Sequence, residues 1–173
     1  MKVTALSFIS ACALLASAGA ADYSAKLSEV HLCCKGCVNG AEKAVSSVPG
    51  ATATADQDSG SVTITAPDLA TAQKAANALV KAGYFGKSSD PELKLNARTG
   101  AKGQKVQTLQ VEGVHLCCAK CVKAVDRAAK SVAGVKEQTA TKGAKSFEVT
   151  GDFDDKELFA ALQKEGLTGK VGK

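Results

Sequence analysis

Two cysteine pairs, Cys34-Lys35-Gly36-Cys37 and Cys118-Ala119-Lys120-Cys121, hold thiols three positions apart in a short loop. An apolar helical pattern follows each pair, so the second thiol falls at a helix start. The free N–H groups and the positive end of the helix dipole there stabilise a thiolate, lowering its pKa from about 8.5. Thiolates are soft donors and select soft ions. Two in one loop suit Cu(I) or Hg(II) in near-linear coordination, whereas Zn(II) needs two more ligands. His31 and Cys33 precede the first pair, and His115 and Cys117 the second, as candidate further ligands. An isolated Cys-x-x-Cys is a weak signal; the same motif at the same place in two repeats is a strong one.

The repetition extends well beyond the cysteines. With His31 aligned on His115, residues 31–50 and 115–134 are identical at ten of twenty positions. Val62-Thr63-Ile64-Thr65 corresponds to Phe147-Glu148-Val149-Thr150, and Gly83 and Gly86 correspond to Gly166 and Gly169. The chain is therefore an internal duplication with units at 24–88 and 104–173, joined by a polar linker at 89–103. Each unit reads strand, helix, strand, strand, helix, strand. Val38, Ala41, Ala44, Val45 and Val48 make one helical face, and Val122, Val125, Ala128, Ala129 and Val132 repeat it. Strands are expected at 51–55 and 62–66, around the turn-rich Asp56-Gln57-Asp58-Ser59-Gly60. Asp68 is an N-cap for a second helix, and Asp154 with Glu157 starts its counterpart. Gly83 and Gly166 fit the left-handed position that closes these helices. This βαββαβ order predicts an α+β protein of two ferredoxin-like domains in tandem, each with two helices on one face of a four-stranded antiparallel sheet.

Composition narrows the class further. Three prolines in 173 residues exclude collagen-like and proline-rich chains, and 4% aromatic residues imply small cores of Ala, Val and Leu. The net charge of +5 is spread over helical faces with opposite signs interleaved, a solvated surface rather than a nucleic-acid-binding one. Residues 1–20 read as a signal peptide: Met1-Lys2, an apolar stretch from Val3 to Leu15, then Ala18-Gly19-Ala20. Export to a periplasmic or extracellular compartment follows, with the mature chain beginning near Ala21. Ile9-Ser10-Ala11-Cys12 resembles a lipoprotein box that would acylate Cys12, but too few apolar residues precede it. Nothing after residue 21 is long and apolar enough to span a bilayer.

Val30-x-Leu32-x-Cys34-x-x-Cys37 and Val114-x-Leu116-x-Cys118-x-x-Cys121, each followed by a helix and a strand pair, resemble the heavy-metal-associated domain. That module occurs in copper chaperones, in the N-terminal domains of copper-transporting ATPases and in the periplasmic mercury-binding protein. The resemblance implies the ferredoxin-like fold and a metal carried by Cys34, Cys37, Cys118 and Cys121. Cu(I) is the leading ion, with Hg(II) next and Zn(II) credible if the extra His and Cys take part. With no pump core present, it implies a carrier or sequestering protein rather than an enzyme, its partners a membrane metal transporter or another metal carrier. Leu32 and Leu116 stand where the family has Met, a volume-conserving exchange. Tyr84 matches an aromatic that bacterial members place near the metal, yet its counterpart is Leu167.

The pairs His31/Cys33 and His115/Cys117 depart from the family pattern. If the first strand runs on to Cys33, alternation puts His31 and Cys33 on the open face of the sheet, their Cα atoms about 7 Å apart. There they would add ligands, or form a second site where two sheet faces meet. Two rival functions use the same motif. A thiol–disulfide oxidoreductase also has Cys-x-x-Cys at a helix start, but each unit is short for a thioredoxin fold and no Trp or Pro flanks the motif. A disulfide-closed structural module would leave an odd thiol per unit, since vicinal Cys33 and Cys34 bridge only with strain.

Overall fold

A computed structural model describes residues 22–172, so the signal reading at 1–20 and Cys12 lie outside the described residues. The first unit comprises β1 (Tyr23–Ser28), α1 (Lys35–Ser46), β2 (Thr52–Asp56), β3 (Ser61–Ala66), α2 (Leu69–Lys81) and β4 (Lys87–Ser88). The second comprises β5 (Lys105–Glu112), α3 (Ala119–Lys130), β6 (Val135–Gln138), β7 (Ser146–Asp154), α4 (Asp155–Lys164) and β8 (Lys170–Val171). Two four-stranded antiparallel sheets result, ordered β2-β3-β1-β4 and β6-β7-β5-β8. This α+β arrangement is consistent with two ferredoxin-like units. No helix among the described residues is long and apolar enough to cross a membrane.

The sequence pattern explains each element. Ala25 and Leu27 of β1 and Val62 and Ile64 of β3 point inward and are buried, each under the helix layer. Cys37, Ala41 and Val45 bury one face of α1 at four-residue spacing, and Ala72, Ala75, Ala76 and Leu79 do so on α2. The second core is bulkier, with Phe147, Phe153 and Phe159 added to Leu158 and Leu162. Each such side chain fully removed from water contributes about 1.5–3 kcal/mol. Asp68 caps α2 by accepting from Thr71 N–H, and Asp154 caps α4 by accepting from Lys156 and Glu157 N–H.

The linker is strapped down along its length. Leu93 is buried, and Gln73 of α2 exchanges two hydrogen bonds with Lys94, donating to its carbonyl at 2.7 Å and accepting from its N–H at 3.0 Å. At its far end the Asp155 carboxylate accepts the N–H groups of Lys102, Gly103 and Gln104 at 2.9, 2.7 and 3.0 Å.

One expectation is corrected. The first strand of each unit stops early, at Ser28 and Glu112, because the next residues, Glu29 and Gly113, take left-handed φ values of 59° and 78°. The chain then leaves the sheet, with Val30 N–H donating to Gly60 O at 2.9 Å. Val30 and Leu32 still face the core, but His31 and Cys33 lie in a loop past the strand end and not on the open sheet face. The same holds for His115 and Cys117.

Candidate metal centre

Cys34 and Cys118 are the N-caps of α1 and α3, both in extended conformation and neither making a side-chain cap hydrogen bond. Their backbone carbonyls accept from Cys37 and Cys121 N–H at 2.9 and 3.1 Å, which sets the second thiol of each pair in the first turn. Both helices thus present thiols at their positive ends.

The two units meet at these ends. Tyr84 and Leu167 form an antiparallel bridge, flanked by Phe85 N–H donating to Gly166 O at 3.0 Å and Thr168 N–H donating to Gly83 O at 2.9 Å. Gly83 and Gly166 close α2 and α4 with φ values of 91° and 73°, as the sequence suggests. They have a second reason to be glycine: a Cβ on Gly83 would strike Gly113 O and His115 N, and one on Gly166 would strike Glu29 O and His31 N. Each helix-closing glycine therefore packs against the segment that leads into the other unit's cysteines.

That docking brings all six thiols together. Cys33 Sγ lies 3.3 Å from Cys118 Sγ, 3.5 Å from Cys37 Sγ and 3.6 Å from Cys121 Sγ. Cys117 Sγ lies 3.4 Å from Cys37 Sγ, 3.5 Å from Cys34 Sγ and 3.7 Å from Cys121 Sγ. Cys37 and Cys121 meet across the junction at 3.7 Å, and each Cys-x-x-Cys pair spans 3.8 Å. All six are free thiols; Cys37 and Cys121 are fully buried and the others half-buried. The sequence leaves open whether the two repeats act independently or share an ion; the structure brings their thiols to one place, joined through Cys33, Cys117 and the Cys37–Cys121 contact.

Crowding shows in the acid–base properties. Burial, then contact with Cys118, pushes the Cys33 thiol up to about 12. Burial raises Cys117 as well, and Cys121 is raised by contact with Cys37 and then by burial. Cys118 goes the other way: burial works to raise it, but the N–H groups of Cys121 and Lys120 and the Cys33 thiol hold it below the usual thiol value.

The histidines differ. His115 stacks on Tyr84 with ring centroids 4.5 Å apart, and its Nε2 lies 3.0 Å from the Tyr84 hydroxyl, which donates to Cys37 O at 2.9 Å. Burial, then the neighbouring His31, lowers the His115 pKa and keeps the ring neutral. The position equivalent to Tyr84 in the second repeat is Leu167, which has no hydroxyl, and the buried His31 Nε2 has no hydrogen-bond partner. It does have sulfur nearby: a His31 ring nitrogen and the Cys33 and Cys121 sulfurs lie within 4.8 Å of one another. An imidazole beside two thiols, with one ring nitrogen unpaired, is a donor set for a soft or borderline ion. Of the sequence candidates, His31 reaches the centre and His115 is engaged by Tyr84. The third thiol in each repeat is the sequence signal of this meeting of the two units.

No family model matches the sequence, and no curated protein matches it significantly. Among solved structures, the N-terminal soluble domains of Bacillus subtilis CopA align over 88% of this chain and 95% of that one, at 16% identity and a TM-score of 0.34. A likeness at that score carries no argument, and the functional reading rests on the thiols.

Proposed function

We propose that this protein is an exported soft-metal binder that carries or sequesters Cu(I), receiving it from or passing it to another metal carrier or a membrane transporter. The observation that carries this reading is the meeting of six free thiols from both repeats at one junction. Burial disfavours the thiolate form of Cys33 and Cys117 in the apo protein, and a soft cation supplies the positive charge that reverses this. The resemblance of Val30-x-Leu32-x-Cys34-x-x-Cys37 and its repeat to the heavy-metal-associated domain supports the same reading, and the leader-like residues 1–20 support export. Metal occupancy would also protect these thiols in an oxidising compartment.

Thiol–disulfide catalysis fits less well: half-buried Cys118 has the depressed pKa of an attacking thiol, but the second thiol of each pair, Cys37 or Cys121, is fully buried and raised. Anaerobic competition against a chromophoric Cu(I) chelator tests the proposal. The reduced protein is expected to withdraw copper from the chelator, and a variant with Ser at positions 34, 37, 118 and 121 is expected not to. Failure of the unmodified protein to compete for Cu(I) overturns the reading. Recovery of the chain in the exported fraction, with a mass starting near Ala21, tests the compartment; retention of residues 1–20 on a cytoplasmic protein overturns export.

A further inference from the structure

The mutual arrangement of the six sulfurs carries more than metal affinity. Nine pairs are in contact at 3.3 to 3.8 Å. Three further pairs, Cys33/Cys34, Cys34/Cys118 and Cys117/Cys118, lie within 4.8 Å. Every sulfur then has four near neighbours and one opposite it: Cys33 opposes Cys117, Cys34 opposes Cys121, and Cys37 opposes Cys118. That is an octahedron of sulfur, built jointly by both repeats.

An octahedron restricts what can bind. Any four of its corners include an opposite pair, so no four of these sulfurs make the tetrahedron that a Zn(Cys)₄ site needs. One ion at the centre would have six thiolate ligands, far above the low coordination numbers of thiophilic ions, and a large uncompensated negative charge. The triangular faces are better suited. With a metal–sulfur bond of about 2.3 Å, a trigonal ion needs sulfurs about 4.0 Å apart, between the contact distances of 3.3 to 3.8 Å and the 4.8 Å limit of the wider edges. Cys33/Cys34/Cys118, Cys34/Cys37/Cys117 and Cys117/Cys118/Cys121 are such faces, each with all donors within 4.8 Å. Cys33/Cys37/Cys121 is a fourth, with edges of 3.5, 3.6 and 3.7 Å. These four faces touch only at corners, and each sulfur belongs to two of them.

We infer that the junction holds a tetranuclear Cu(I)–thiolate cluster, one copper on each of four alternate faces and each of the six cysteines bridging two coppers. This rests on the proposed Cu(I) binding and specifies its form. Loading releases six protons as six thiols become thiolates, and four monovalent ions leave the cluster with two net negative charges. Those charges sit at the convergent N-termini of α1 and α3, where helix dipoles favour an anion. The extra cysteine in each repeat is thereby explained: without Cys33 and Cys117 the four remaining sulfurs form a ring, Cys34–Cys37–Cys121–Cys118, in which no three are mutual neighbours and no triangular face is left.

The test is native mass spectrometry of the anaerobically reduced protein during titration with Cu(I) supplied as its acetonitrile complex, with copper X-ray absorption on the loaded sample. The expected result is a four-copper species that dominates from sub-stoichiometric copper onward, three sulfurs per copper and a short copper–copper distance. The Cys33→Ser, Cys117→Ser double variant, checked for folding by circular dichroism, is expected to fall from four coppers to two, with two sulfurs each and no copper–copper signal. Saturation of the unmodified protein at two coppers without a copper–copper signal overturns the cluster and leaves Cu(I) binding intact. Failure to bind Cu(I) at all overturns both, and one Zn(II) held by His31 with Cys33, Cys37 and Cys121, in preference to copper, overturns the cluster.

Discussion

Gly40, in the middle of α1, shows how finely single positions differ between the repeats. A Cβ there would run into the Tyr84 hydroxyl and crowd the His115 ring, so glycine makes room for the tyrosine that holds His115. The second repeat has Ala124 and Leu167 at the equivalent places and needs no such space. Gly40→Ala alone is expected to destabilise the protein by about 1–3 kcal/mol through overpacking, despite the better helix propensity of alanine. Combining it with Tyr84→Leu recreates the second repeat's pair, and urea denaturation of both single variants and the double is expected to show a favourable coupling of about 1 kcal/mol or more. Additive losses would show that the two residues do not share the space. The same difference fits the histidines: Tyr84 engages His115, whereas Leu167 at the counterpart position has no hydroxyl to offer and His31 Nε2 is unpaired.

At the level of elements, Asp155 ties the end of the linker to the start of α4. Burial works to raise its pKa, but the N–H groups of Lys102, Gln104 and Gly103 outweigh that and hold the carboxyl below its ordinary value. A folded-state pKa below the unfolded one means a stabilisation present above the unfolded carboxylate value and lost as pH falls through the folded one. Asp155→Asn is therefore expected to cost about 1–3 kcal/mol at neutral pH, because one oxygen becomes a donor facing N–H groups. The gap between variant and parent should close on acidification below about pH 4, followed by thermal melting; a gap independent of pH would contradict this role. Much of this layer was legible in the sequence. The helical faces of α1 and α3, the caps at Asp68 and Asp154 and the αL glycines all declare themselves through local pattern. The end of β1 did not, because the left-handed turn at Glu29 is stabilised by Gly60 and Gly166, residues remote in sequence.

For the whole molecule, the duplication acquires a purpose that neither repeat shows alone. The four Cys-x-x-Cys thiols could be read as ligands from residue type and spacing, but their union depends on the bridge between Tyr84 and Leu167 and on two glycines that admit the other unit's backbone. Such contacts join positions far apart in the chain, Tyr84 with Leu167, Gly83 with Gly113 and Gly166 with Glu29, and leave no periodic trace in the sequence. The sequence does contain the consequence, an odd third thiol in each unit, which is surplus for two isolated pairs and necessary for one shared centre. Whether all six thiols serve one metal-holding site is decided by counting thiols through alkylation and mass spectrometry, with and without bound Cu(I). The reduced apo protein should accept labels at the half-buried Cys33, Cys34, Cys117 and Cys118 and the copper-loaded protein at none of them; labelling of Cys33 and Cys117 in the loaded protein, with Cys34 and Cys118 protected, would mean that the extra thiols hold no metal.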